Sequence, residues 1–492
     1  MAGAKAWRAR GVGNALLLLS TLLILSCPIY RPAGPELEPF RPLDEMPAKL
    51  SSDAYLRPPS LYGVITSGDN LISHPALCDW GGVVLVEDLL GSPQLRLFSL
   101  TTPPEDLGAF TPQSGYQWLE TACLGNRLAI YQGRGMHLSL TLIDNQGNLL
   151  GNWSLSATKA PSVRQDWLFI NSGKELEIHS LTSGTMVELG APGLGAIPLG
   201  WGVSQSGDQQ PLYYLLGSSL YRLPADLSRS FFVRKLEITR SPVDVAILPE
   251  PDRLYQVIGG SLPLITAWQI GRGRSLWTKS LTRSFTRYRL FAWEDQVLVL
   301  GYTPAREGVS GARLEGYSVL AGDRGINFKF SSQGIPLAII PLEDPPRLVA
   351  VEVMGFAEGE GWPGHDLPGL PQGPRPSLER LHTVITCLDE GGSKLYQLMP
   401  THADLILPLN RRLLIGINLG SEVRDASLVG FSTEDGQKLW QLELGSVVVE
   451  DFFLRDPYVA LVLRDEEGNF SLSIYRFASV APKGRGQEEG VE

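Results

Sequence analysis

Cysteine is scarce in this 492-residue chain: there are four, at positions 27, 78, 123 and 387. No dense disulfide framework can carry the fold, so stability has to come from apolar packing. Histidine is scarce as well. His74, His137, His179, His365, His382 and His402 stand apart, with no spacing that would set two of them on one metal ion, and the cysteines have none either. There is no GxxxxGK[ST] phosphate loop, no HExxH and no GxSxG elbow. Gly359-Glu360-Gly361-Trp362-Pro363-Gly364 fits GxGxxG by letter, but it lies in a Pro-rich stretch and not between a strand and a helix, so it is a chance match. Excess positive charge is also lacking. The net charge is −10, which suits a phosphate backbone poorly and argues against nucleic acid as a partner. No metal and no cofactor are expected from these residues, and no nucleophile is paired with a base.

Long apolar runs are missing except at the start. Lys5, Arg8 and Arg10 precede the run Ala15–Leu25, which only Ser20 and Thr21 interrupt, and Ser26-Cys27 follows. This is the pattern of a secretory leader, too short for a comfortable membrane span. Ile24-Leu25-Ser26-Cys27 resembles a bacterial lipobox, which implies that residues 1–26 are removed and Cys27 carries lipid. Cleavage there removes three basic residues and no acid, taking the net charge to −13. Position 28 is Pro and not Asp, so in a host with two membranes the resemblance points to the outer one. An uncleaved anchor or plain secretion is the alternative. Residues 27–60 hold prolines at 28, 32, 35, 39, 42, 47, 58 and 59 with few aliphatics, as expected of an extended tether.

Beyond residue 60 helical periodicity is absent. Short runs rich in Val, Ile, Leu, Tyr and Phe take its place, among them Gly82–Glu87, Leu138–Ile143, Gln296–Tyr302 and Tyr458–Leu463, each bounded by Gly, Pro, Asp, Asn or Ser. Many short antiparallel strands are therefore predicted. One phrase recurs: a strand, a polar turn ending in Gly, then an aliphatic and an aromatic residue. It occurs at Gly273 to Trp277 and at Gly436 to Trp440, with variants at Gly392 to Tyr396 and Gly325 to Phe328. Gly supplies the positive φ of a tight turn, and the aromatic residue packs an outer strand on its neighbour. A four-stranded unit cannot bury both of its faces, so such units must stack around a ring.

The phrase resembles the repeat of the PQQ-like β-propellers across residues 61–478. That resemblance implies an all-β fold, a β-propeller of four-stranded antiparallel blades. Nine candidate blade starts fall near residues 80, 118, 165, 197, 243, 288, 336, 403 and 447. The unit from 165 to 197 is short, so eight blades are predicted, with seven as the alternative and a strand near Leu61–Thr66 completing the last blade. Residues 479–492 read as a disordered tail. Together with a lipidation signal, the chain looks most like the propeller lipoproteins that assist β-barrel assembly in outer membranes. This implies a monomeric, membrane-anchored interaction scaffold whose partners are other envelope proteins, on the periplasmic side of an outer membrane or at the surface of a single-membrane cell.

The quinone-dependent dehydrogenases of the same family carry an adjacent cysteine pair and a calcium site; no two cysteines are adjacent here. The chain is accordingly read as a binding protein and not an enzyme. The alternatives are a quinone- or polysaccharide-active envelope enzyme and a ligand-sensing propeller. Gly355–Ser377 interrupts the repeat, and Trp362, His365 and Asp366 in it are candidate recognition residues unless the insertion is merely tolerated. Cys78 and Cys123 each precede a turn and a new strand, and two readings stay open for them: a disulfide, or two buried thiols.

Overall fold

The computed structural model describes Glu36–Leu37 and most of residues 50–478; the longest undescribed stretch within that span is 356–376. Between residues 157 and 252 it describes mainly strand backbone. The strands form nine four-stranded sheets. In each of the first eight, consecutive strands pair antiparallel with their neighbours, the meander that short connections impose. These blades, numbered here in chain order, begin at Leu71, Trp118, Ser162, Ala196, Asp244, Arg287, Ile335 and Leu405. Blade 9 takes three strands from Val448–Arg455, Tyr458–Arg464 and Phe470–Arg476. Its fourth comes from the other end of the folded body: Ser60–Thr66 pairs antiparallel with Phe470–Arg476.

The first strand of blade 1 packs on the first strands of both blade 2 and blade 9, so the ring closes where the two ends of the folded body share a sheet. The chain is a β-propeller.

Nine sheets correct the expected eight. The short unit set aside near residue 165 holds four strands, Ser162–Arg164, Trp167–Asn171, Glu175–Ser180 and Met186–Gly190. It is compact because these strands have only three to six residues, with two, three and five residues between them. Glu36–Leu37 adds a short parallel strand to this blade, beside Ser162–Val163. The strand expected near Leu61–Thr66 does complete the last blade.

Burial follows position in the blade. Gly81–Glu87 and Tyr458–Arg464 are buried along almost their whole length, because middle strands are covered on both faces by neighbouring blades. The outer strand Arg274–Ser280 is exposed or half-buried throughout. One core cluster runs across blades 6 to 9, another joins blade 9 to blades 1 and 2, and a third lies between blades 5 and 6.

An antiparallel meander also sorts its loops. Turns between first and second strands, and between third and fourth, lie at one end of the ring, here the turn end. Second-to-third connections and the links between blades lie at the other, the linker end. In blade 7 the described ends of the second and third strands, Met354 and His382, stand at the linker end.

Candidate interaction site: the blade seams and the N-terminal latch

The repeat residues meet at the seams between blades. Trp277, on the outer strand of blade 5, donates from Nε1 to Val319 O of blade 6 at 3.2 Å. Its ring lies 5.8 Å from Tyr255 and 6.4 Å from Tyr317. Tyr396, on the outer strand of blade 7, donates its hydroxyl hydrogen to Thr433 O of blade 8. Each acceptor is the residue after the one that opens the turn, since Gly322 N donates to Ser318 O and Gly436 N to Ser432 O. A half-buried aromatic thus fills the seam while its polar atom is satisfied by the next blade's turn.

The turn glycines are constrained twice. Gly322, Gly392 and Gly436 have φ of +69°, +83° and +72°, a region that residues with a Cβ rarely adopt. A Cβ on Gly322 would lie 2.7 Å from the Trp277 ring, and one on Gly436 would lie 2.8 Å from the Tyr396 ring. In blades 6 and 8 the turn glycine is the floor on which the preceding blade's aromatic rests.

One repeat assignment is corrected by this geometry. Gly325 lies within the strand Arg324–Lys329 and is not the turn residue; Gly322 is. The seam position four residues on is Ile326, fully buried, whereas Phe328 is half-buried and packs edge-to-face on Phe330 at 5.0 Å. The spacing carried the signal: Gly to aromatic is four residues in the other three copies and three from Gly325 to Phe328.

At the seam between blades 8 and 9 a different partner takes over. The third and fourth strands of blade 9 come from opposite ends of the folded body, so no turn glycine joins them. Trp440 instead donates from Nε1 to Tyr55 O at 2.9 Å. Tyr55 belongs to the 3-10 turn Ser52–Leu56 and is 2 % exposed. Its ring packs 5.4 Å from Phe477, which in turn lies 5.8 Å from Trp440. Its hydroxyl donates to the Asp456 carboxylate at 2.8 Å and accepts from Leu50 N at 3.1 Å. Burial in the first place, with the Asp456 carboxylate adding to it, pushes the Tyr55 hydroxyl well above the usual phenol range. Folded structure therefore starts by Leu50, inside the segment read from sequence as tether. Nothing in the repeat pattern marks Tyr55, because it stands outside the repeat.

The outer strands differ in charge. Arg274–Ser280, Arg324–Lys329, Lys394–Leu398 and Lys438–Gly445 all carry Lys or Arg, the usual protection of a free sheet edge. Ser60–Thr66 and Leu149–Ser156 carry no charge. In Ser60–Thr66, Leu61 and Val64 are 56 % and 44 % exposed. That strand is pinned by Tyr62, whose hydroxyl donates to Leu100 O at 2.6 Å and whose ring lies under the Arg476 guanidinium.

Cys78 is disulfide-bonded. Its Sγ lies 3.6 Å from Arg127 O, just past the strand Trp118–Leu124 that contains Cys123. Cys387 is free and buried, and desolvation pushes its thiol up to about 11. Among the described residues no His, Cys, Asp and Glu cluster could hold a metal ion, and no helix is long and apolar enough to cross a membrane. Cys27, Trp362, His365, Asp366 and the tail 479–492 lie outside the described residues.

No family model matches the chain, and no curated protein matches it. Among solved structures it is similar to a europium-containing methanol dehydrogenase at 11 % identity and a TM-score of 0.40, covering 91 % of this chain and 99 % of that one. It is similar to BamB from Moraxella catarrhalis at 10 % identity and 0.31, covering 85 % and 100 %. A third is the C-terminal WD40 domain of Sif2, at 10 % identity and 0.39, covering 86 % and 97 %. The likeness is one of fold.

Proposed function

We propose that the chain is a membrane-tethered envelope lipoprotein whose propeller serves as a rigid interaction scaffold for other envelope proteins. The observation that carries this reading is the latch at the last seam. Tyr55 is buried between Trp440, Phe477 and Asp456, and five residues later Ser60–Thr66 becomes the outer strand of blade 9. A pull on the N-terminal segment is thereby transmitted to a closed ring and not to a loose loop, as a tethered scaffold requires. The disulfide at Cys78 agrees with an exported, oxidising location.

The uncharged edge of Ser60–Thr66, beside the point where the tether leaves the body, is the proposed place for a partner strand to add. Its backbone groups on the free side supply the hydrogen bonds, and Leu61 and Val64 supply exposed apolar contacts. The test is fractionation followed by co-purification. Cys27→Ala is expected to move the protein from the membrane pellet to the soluble fraction. Val64→Lys on the full-length chain is expected to lose co-purifying envelope proteins while keeping its membrane anchor. Recovery of Cys27→Ala in the pellet at wild-type level would count against the lipid anchor, and an unchanged set of partners for Val64→Lys would count against the edge. A stoichiometric quinone or metal in the purified protein would favour the enzyme reading.

A further inference from the structure

The acidic character of the chain is not evenly spread. From Arg253 to Lys329, most of blade 5 and all of blade 6, there are eleven Lys and Arg against five Asp and Glu, leaving the remainder of the chain at −16. Three of these cations come together at the linker end. Arg313 on the third strand of blade 6 stands directly opposite Lys329 on its fourth. Like charges paired across strands repel and cost stability. Neither makes an ion pair among the described residues. Arg283, in the link from blade 5 to blade 6, lies over the Phe285 ring at 5.7 Å. Its Nη1 is 3.4 Å from where a Cβ of Gly311 would be, and Gly311 shares a strand face with Arg313 two residues on.

Beside this cluster the connection between the second and third strands of blade 5 presents Leu262, 79 % exposed, the most exposed large apolar side chain described. The two loops are joined, because Ser284 Oγ donates to Gly260 O and Leu281 N donates to Pro263 O at 3.0 Å. The turn end is of opposite character. Asp144, Asp389 and Asp435 each accept a backbone N–H within their own turns there and present carboxylates to solvent.

We infer that the linker end of blades 5 and 6 is a membrane-facing surface, with Arg283, Arg313 and Lys329 binding the phosphates of anionic phospholipid headgroups and Leu262 entering the interface. A phosphate between Arg313 and Lys329 turns a repulsive pair into a bridged one, which accounts for two opposed cations without a carboxylate. An exposed leucine beside cations suits a bilayer surface, where apolar contact and headgroup attraction add. Blade strands of about seven residues span only about 23 Å from one end of the ring to the other. Glu36–Leu37 pairs with Ser162–Val163 at the start of blade 3, already at the linker end, and the eight residues 28–35 beyond it could reach about 27 Å at full extension, so a chain latched at the turn end still lets the linker end lie on the membrane. This inference rests on the tethered-scaffold reading for its setting but not on Cys27.

The test is flotation of the full-length Cys27→Ala chain with phosphatidylcholine vesicles, alone or with phosphatidylglycerol at about one part in three. The apolar N-terminal run is present in every arm, so the quantity read is the ratio of binding to anionic over neutral vesicles. At about 1 kcal/mol for each basic residue near an anionic surface, R283Q/R313Q/K329Q is expected to lower that ratio roughly a hundredfold. Leu262→Asp is expected to lower binding to both vesicle types, and the triple variant is expected to melt no lower than the parent because a repulsive pair has gone. Equal partitioning of the parent between the two vesicle types, or a triple variant that keeps the preference, would overturn the inference. Saturable binding of inorganic phosphate with no vesicle preference would also overturn it and reassign the cluster to a free anion. Because lipidation is absent from every arm, failure here is separable from failure of the lipid-anchor reading.

Discussion

Gly436→Ala tests whether blades are held by a ring seated on a glycine. At φ +72° an added Cβ costs about 1–2 kcal/mol in the left-handed region. It would also stand 2.8 Å from Tyr396 Cδ2, and the ring cannot retreat while its hydroxyl is hydrogen-bonded to Thr433 O. Overpacking of this kind costs a further ~1–3 kcal/mol, so the expected loss is about 2–5 kcal/mol. Gly468→Ala is the matched control: its φ is +89° and its Cβ would meet nothing within 4 Å, leaving only the backbone cost of about 1–2 kcal/mol. Guanidinium unfolding followed by circular dichroism measures both losses. Tyr396→Ala in the Gly436→Ala background completes a cycle whose coupling reports the seam itself. Equal losses for the two glycines, or additive effects of Gly436→Ala and Tyr396→Ala, would refute the account of the seam.

Two more expectations concern the N-terminal latch and the thiols. Tyr55→Phe removes a buried hydroxyl that joins Asp456 to Leu50 N and is expected to cost about 1–3 kcal/mol. Because the folded state raises the Tyr55 hydroxyl above its usual range, its contribution is full below about pH 10 and falls as pH rises beyond that. Tyr55→Phe should therefore flatten the alkaline loss of stability, and an unchanged slope above pH 10 in thermal melts would contradict this. Cys387, buried with its thiol pushed up to about 11, should resist a maleimide in the native protein and react once unfolded. Mapping of unreduced peptides should recover the Cys78 peptide cross-linked, with the Cys123 peptide as the expected partner; a freely alkylated Cys78 would refute the bond.

What the sequence made legible was the part of the fold that repeats. All nine blade starts found by pattern lie near first or second strands, because a hairpin unit needs its turn glycine and its seam aromatic wherever it occurs. The count of eight failed at blade 3, which fits four strands between Ser162 and Gly190, an interval shorter than the period of the other blades. Gly325 and Phe328 failed for a related reason. At the seam between blades 6 and 7 the floor is Gly392 and the resting side chain is aliphatic Ile326, so a pattern that asks for an aromatic falls on Phe328, three residues from a glycine, and passes over the aliphatic residue four from Gly322. Tyr55 could not be found by repetition, and the basic linker end was hidden because its three cations come from a link, a third strand and a fourth strand, spread from position 283 to 329.

These hidden features follow from one geometric fact. Closing a ring of like units requires the last seam to differ from the rest, because the first and last strands of the chain must share a sheet and cannot both obey the repeat. Here Ser60–Thr66 supplies the missing outer strand, and Tyr55 covers Trp440, for which blade 9 has no third-to-fourth turn. Deleting residues 50–59 while keeping Ser60–Thr66 would therefore leave blade 9 with four strands but strip Trp440 of its acceptor and Asp456 of the Tyr55 hydroxyl. The ring would be complete in hydrogen-bonded strands yet open at one seam. The proposed anchor would pull on that seam, so the residues placed outside the repeat would be those that bear the load.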